Sequence, residues 1–376
     1  MILSLEADRA VVAEKEAQIL ELEAQMAVLE ESISVLRAAK KPAEDRLNSH
    51  KCPVLTLPNE IISEIFQHYL PIYPEPPQFF EGLSPTTLTQ ICRQWREIGH
   101  STPALWRAID LRPINVSLEA ANNLAPLWLE RSGHLPLSIY GTDGKGLFPA
   151  FSASIPHCAR WEHLHLSLDN PSNLKALDVA TPLLRTLTLY INHKTVSAPH
   201  QFQYAPLLRS VVLEDCHSPS VIVPWSQLTS LALMCMYTRE FPPILRQTSN
   251  LVHCTLLMWG GDPLGNGPDY DDITLSRLET LVFESDNDTD VVFFKHLVTP
   301  ALVCLELAES FLSLDGFGAA VAPHGGVVGS LEAFISKSGC QLRELQITQA
   351  TVSEEIYRHA FPSISVINCS KTIASW

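Results

Sequence analysis

His157, Cys158, His163 and His165 lie close together, and imidazole and thiolate are the usual ligands of zinc. The spacing argues for ordinary strand residues instead: His163 and His165 alternate on one strand face, and no spaced cysteine pair accompanies them. Asp286, Asp288 and Asp290 imitate the opening of a calcium loop, but Val291 stands where the turn needs glycine and Leu297 where the closing carboxylate belongs. GTDGKG at 141–146 lacks the four-residue spacer of a phosphate-cradling loop, and Gly146 replaces its Ser or Thr. GFGAAV at 316–321 lacks the third glycine of a dinucleotide turn and follows no opening strand. No G-x-S-x-G elbow occurs. The sequence therefore predicts no catalytic residue, no metal and no cofactor, and a chain that works by binding.

The 376 residues leave room for about two domains, or for one repeat array with an appendage. With 46% apolar and 18% charged residues, they can bury a sizeable core. Lys and Arg number 26 against 41 Asp and Glu, a net charge of -15 that repels phosphate backbones and anionic lipid. No basic patch offsets it, so neither nucleic acid nor a membrane is an expected partner. The nine cysteines are an odd number without any C-x-x-C, and several sit inside apolar strings such as LALMCM and LVCLEL, where a thiol packs as a small hydrophobe. A reducing compartment, cytoplasmic or nuclear, fits this usage. The start MILSLEADRAVVAEK carries acid early and lacks a basic leader region, and no apolar run approaches the ~18 residues of a membrane span.

Binding residues need elements to hold them, and the chain reads as three parts. Residues 1–47 have almost no Gly, Pro or aromatic residue and predict one long helix. Its heptads place Ile19, Met26 and Ile33 at a and Leu22, Leu29 and Leu36 at d; upstream, Leu5 and Val12 continue a while Asp8 and Lys15 occupy d. Such a seam suits self-association through 15–37 or a partner helix, and equally a solvated or intramolecularly docked helix. Residues 48–111 predict a compact helical block. LPNEIISEIFQHYL sets Leu57, Ile61, Ile65 and either Phe66 or Tyr69 on one face, and Pro58 suits a first helical turn. PIYPEPPQFFEGLSP must be an extended loop. A second helical pattern runs through Thr87, Leu88, Ile91, Cys92, Trp95 and Ile98. Trp95 and Trp106 either close this small core or contact a partner.

From 112 to 376 the period changes, and L-x-x-L-x-L or a close variant recurs. Its middle positions are Leu164, Leu187, Val211, Leu231, Cys254, Leu281, Leu305 and Leu345, in steps of 20 to 27 residues and a last step of 40. Steps of ~20 to 29 residues are those of leucine-rich repeats, which stack one strand each into a parallel sheet. The expectation is a curved array with Leu187, Leu189, Leu231, Leu233, Leu305 and Leu307 buried. LWLERSGHLPLSIY and EAFISKSGCQLRELQI each predict a helix ending on a left-handed glycine, Gly133 or Gly339, before a strand. The acidic stretches GGDPLGNGPDYDD and ESDNDTD read as solvated repeat loops on a rim that could grip a partner. FPSISVINCSKTIASW makes a poor cap, as though the array were cut short.

PVLTLPNEIISEIFQHYLPIYP with SPTTLTQICRQWREIGHSTPALWRAIDL resembles an F-box, in particular that of the large family of F-box-like proteins of mushroom-forming fungi. The upstream heptad helix and downstream repeats follow the usual order in that family. The resemblance implies an α/β chain: a long helix, a small helical F-box domain and a leucine-rich-repeat-like solenoid. It implies a non-catalytic substrate receptor of a Skp-cullin-F-box type ubiquitin ligase, with a client protein on the repeats. By position, the Skp-type adaptor would meet Leu57, Pro58, Glu60, Ile61, Ile65, Phe66, Trp95, Leu105 and Trp106, with Cys92, Arg93 and Arg96 also matching the motif. The loop from Pro71 to Pro85 is an insertion relative to the shortest F-boxes. The other reading is a repeat scaffold with no ligase link, its helical block serving only as a cap.

Overall fold

The computed structural model describes residues 2–49, 53–80, 82–112, 117–144, 148–169, 178–191, 200–202, 204–215, 221–258, 271–285, 291–313 and 325–370. The chain divides into two compact units, 1–62 and 63–376, the division falling inside a helix. The first unit is mostly α1 (Ile2–Ser49), whose side chains from Val11 to Arg46 are all exposed. Its run of Ala, Glu, Leu and Gln favours helix, and pairs such as Lys40 with Glu44 at 2.7 Å brace its surface. A 3-10 turn, Pro53–Thr56, follows. The helix α2 (Asn59–Tyr69) then begins, its first residues belonging to this unit.

The second unit continues with α3 (Pro85–Ile91), α4 (Arg93–His100) and a 3-10 turn at Pro103–Trp106. The single helix expected through Cys92 is broken there. Cys92 is extended, at φ −153° and ψ 171°, and its Sγ accepts the Trp95 N–H at the start of α4.

Thereafter the strands are β1 (Ala108–Asp110), β2 (Leu137–Thr142), β3 (Trp161–Leu168), β4 (Thr186–Ile191), β5 (His200–Gln201), β6 (Ser210–Glu214), β7 (Val221–Ile222), β8 (Ser230–Met236), β9 (His253–Met258), β10 (Ile273–Thr274), β11 (Thr280–Ser285), β12 (Leu297–Val298), β13 (Cys304–Ala308), β14 (Glu344–Thr348) and β15 (Val366–Cys369). Among the described residues, eleven form one parallel sheet in chain order, β1-β2-β3-β4-β6-β8-β9-β11-β13-β14-β15, while β5 with β7 and β10 with β12 make two short pairs. The first strand, β1, comes from the block read as helical in the sequence, so that block joins the sheet directly.

The register explains the repeat. Leu164, Leu187, Val211, Leu231, Cys254, Leu281, Leu305 and Leu345 stand opposite one another along a single row. All are at most 2% exposed. Leu189, Leu233 and Leu307 fill a second inward row two residues on and are fully buried. Strand alternation turns the intervening residues to the other face, where most are half-exposed or exposed; the exceptions include Ala108 and Ser138 in the first strands and Val282 and Glu284 in β11. Gly141 is needed where it stands: a Cβ there would lie 2.8 Å from the Phe151 ring. At the two helix ends expected from the sequence, Gly133 and Gly339 adopt φ of +58° and +65°, after α5 (Leu118–Arg131) and, beyond the short helices α6 (Phe148–Ser152), α7 (Phe241–Leu245) and α8 (Ser310–Ser313), after α9 (Gly325–Ser338). Connecting segments supply aromatic rings that close the core. Phe283 meets Phe311 edge to face at 4.5 Å, and Phe294 stacks on Phe334 at 4.3 Å. Full burial pushes the Cys254 thiol up to about 12. Thiols are also free at Cys92, Cys158, Cys304, Cys340 and Cys369, while Cys52 and Cys216 lie outside the described residues.

Near the end of the sheet, Glu309 is 3% exposed and fully engaged. It accepts hydrogen bonds from the Thr351 N–H and hydroxyl, from the Val352 N–H at 3.1 Å and from the Tyr357 hydroxyl of α10 (Glu354–Ala360) at 2.8 Å. Burial alone would raise its pKa; these donors more than offset that and hold it below the ordinary carboxyl value. A depressed folded pKa contributes stability that is present above the unfolded value of about 4.3 and is lost as pH falls through the folded one. Glu309→Gln should therefore unfold more readily than wild type at neutral pH, by about 1–3 kcal/mol. In denaturant titrations the gap should narrow steadily below about pH 4.

Candidate functional site

Helix α2 carries more apolar residues than one face holds. In the first unit, the Ile61 and Ile62 N–H groups both donate to the Pro58 carbonyl at 3.1 Å, so the proline sits where its missing N–H costs nothing. Leu57 is 37% exposed, and Glu60 is exposed in the first turn, where the helix dipole favours a carboxylate. Ile62 and Phe66 of α2 and Leu70 just past its end, four apart, are buried. Ile61, Ile65 and Tyr69, also four apart, are 49%, 45% and 37% exposed. One helix thus presents an inward and an outward apolar stripe. Ile62 and Leu70 were not singled out in the sequence, although their four-residue spacing from Phe66 was the available signal.

In the second unit, Phe66 meets Trp95 edge to face at 4.9 Å. Trp95 is half-buried. Thr102 donates its hydroxyl to the Ser63 hydroxyl at 3.2 Å, tying α2 to the end of α4. Trp106 is fully buried; its indole N–H donates to the Gly99 carbonyl at 2.7 Å, its ring meets Trp128 edge to face at 5.2 Å, and the Arg131 guanidinium lies over it at 4.6 Å. Leu105 and Phe66 are each 1% exposed. Phe66, Leu105 and Trp106, which the resemblance places among the adaptor contacts, are thus buried in the helical layer, which is small enough to need its largest side chains to fill it. Ser84 caps α3 by accepting the Thr86 N–H and donating to the Phe79 carbonyl. The Tyr69 hydroxyl donates to Gly82 at 2.7 Å and pins the loop that carries exposed Phe80 and Leu83.

The proline-rich insertion is irregular, as expected, but it is held down. Ser138 of β2 donates to the Pro74 carbonyl at 2.7 Å, the Tyr73 hydroxyl donates to Glu162 at 2.9 Å, and the Arg107 guanidinium lies 3.8 Å above the Tyr73 ring. A groove of about 460 Å³ opens there, its walls including Gln67, His68, Ile72, Tyr73 and Arg107. His163 and His165 project from β3 on the face away from the leucines. His163 pairs its Nδ1 with the Thr186 hydroxyl at 2.8 Å, and His165 stacks on Tyr140 at 4.9 Å. Burial lowers the pKa of both. His157 and Cys158 lie apart from them in a 3-10 turn. Among the described residues, no three His, Cys, Asp or Glu side chains are grouped to hold a metal. Asp286, Asp288 and Asp290, Lys145 and Gly146, and the glycines of GFGAAV lie outside the described residues.

The helical layer thus leaves the apolar side chains of Ile65 and Tyr69 turned outward. Among the described residues, no helix is long and apolar enough to cross a membrane. No curated protein matches the chain. Residues 54–112, the segment that builds α2 to β1, match the family model described as F-box-like, and the chain carries an F-box-like domain there.

Proposed function

We propose that the chain is a non-catalytic substrate receptor of a Skp-cullin-F-box type ubiquitin ligase. The observation that carries this reading is the outward stripe of α2, with Ile61 and Ile65 each about half exposed on successive turns within the F-box-like segment. Leu57, Pro58, Glu60 and Trp95 complete the adaptor contacts in this reading, while Phe66, Leu105 and Trp106 support them from beneath. The chain divides functionally into a coiled-coil-like helix (1–47), the F-box (48–111) and the repeats (112–376), the order found in F-box-like proteins of mushroom-forming fungi. Register and period support a leucine-rich-repeat-like solenoid. Its other sheet face, opposite the inward leucine rows and concave in such a solenoid, selects the client through side chains such as Thr188, Val212 and Thr255, which share one row. Ubiquitin transfer then occurs on another subunit, to a client held close by. Such a receptor works in the cytoplasm or nucleus.

A repeat scaffold without ligase is the second reading, favoured by one observation: β1 is the first strand of the sheet, so the F-box-like block can serve as its cap. Co-purification with a Skp-type adaptor separates the two. The wild type should bind. Ile61→Lys together with Ile65→Lys should weaken binding by at least about tenfold, the effect of ~1.4 kcal/mol at an interface anchor, without moving the melting transition. A wild type that does not bind, or a double variant that binds as well as it does, would favour the scaffold.

A further inference from the structure

The seam of α1 has no role in adaptor or client binding as described above, yet its six residues are exposed together: Ile19 55%, Leu22 59%, Met26 59%, Leu29 62%, Ile33 46% and Leu36 69%. They lie on one unbroken helix in strict a and d alternation. A soluble helix that leaves so regular a stripe in water gains by covering it. We infer that the occupant is a second copy of this chain, paired in parallel and in register through residues 19–36.

Three features of the helix select that occupant. Isoleucine at two of the three a positions with leucine at every d position is the combination that favours a parallel two-stranded coil. In a parallel pair, each g position faces the e position five residues on in the other copy. Gln18 then faces Glu23, Gln25 faces Glu30 and Ser32 faces Arg37, so no like charges meet. An antiparallel pair that overlays the same six residues brings Glu23 of each copy against Glu30 of the other, a like-charge contact made twice at the centre of the seam, while its opposite-charge contacts, Glu16 with Arg37, fall outside the two ends of the seam. Finally, the seam is bounded. Lys15 falls at d and Lys40 at a, each facing a lysine in the paired state, and both are held in contacts on their own helix, Lys15 to Gln18 at 3.0 Å and Lys40 to Glu44 at 2.7 Å. The charged ends set the length of the paired segment. Leu20, Val28 and Val35 occupy b and c positions and stay outside a two-stranded seam.

Light scattering on the full chain without any adaptor tests this independently of the ligase reading. The expected mass is that of two chains at high micromolar concentration, falling toward one on dilution because so short a seam is only marginally stable. Leu22→Lys together with Leu29→Lys should give the one-chain mass at every concentration while the sheet keeps its melting transition. Orientation is read with Leu22→Cys: in the parallel pair this position meets itself, and oxidation should yield a covalent two-chain species above the wild-type background. Antiparallel pairing would set it against Ile33 of the other copy and give no such species. A one-chain mass at all concentrations, a three-chain mass, a shift seen only on adding a different helical protein, or no cross-link above wild type would each overturn the inference.

Discussion

Leu231→Asp is expected to abolish the cooperative unfolding transition of the sheet. Leu231 is 1% exposed and stands in the inward row between Val211 and Cys254. The substitution forfeits about 2–3 kcal/mol of apolar burial. It also places a carboxylate where these neighbours offer no partner, at a further cost of several kcal/mol. Domains of this kind hold only about 5–15 kcal/mol in total, so one such change removes most of the margin. Far-UV circular dichroism during heating and limited proteolysis read the outcome. Leu231→Ile, which conserves volume and apolarity, should cost less than about 1.5 kcal/mol and melt nearly as wild type. A wild-type melting curve for the aspartate variant would mean that the inward row is misplaced.

Trp106→Ala should destabilise the helical layer by about 3–5 kcal/mol. The ring is fully buried against Trp128, its N–H satisfies the Gly99 carbonyl, and Gly99 itself admits no side chain, because a Cβ there would fall 2.8 Å from Thr89 Cγ2. The alanine variant therefore leaves a cavity and takes from the Gly99 carbonyl its shortest hydrogen bond, with the Thr102 N–H at 3.4 Å remaining. Trp106→Phe should recover part of the packing but not the hydrogen bond. The diagnostic readout is adaptor affinity measured well below the variant's melting temperature. A supporting role predicts near-wild-type affinity for the folded fraction, in contrast to Ile61→Lys with Ile65→Lys, which should lose affinity while remaining folded. A Trp106→Ala protein that melts like wild type and still fails to bind would return this tryptophan to the contact surface.

The inward rows of the sheet were legible in the sequence because strand alternation has a period of two and the repeat places the same phase every 20 to 27 residues. The period alone told Leu187 and Leu189 to face inward, and both are fully buried. The long first helix and the left-handed glycines at 133 and 339 were legible for the same reason, since composition and backbone freedom act locally. On α2, local pattern reached its limit. Ile61, Ile62, Ile65, Phe66, Tyr69 and Leu70 cover more than one face, so periodicity names a helix without saying which stripe is inside. That choice belongs to the tertiary structure, in which Phe66 is claimed by Trp95 and Ile65 is left outward. The same holds for the break at Cys92, for β1 joining the sheet, and for the proline-rich loop fastened to Ser138 and Glu162. These contacts join residues 30 to 90 positions apart or depend on what packs alongside, and a bond between distant residues leaves no mark in the spacing of either segment.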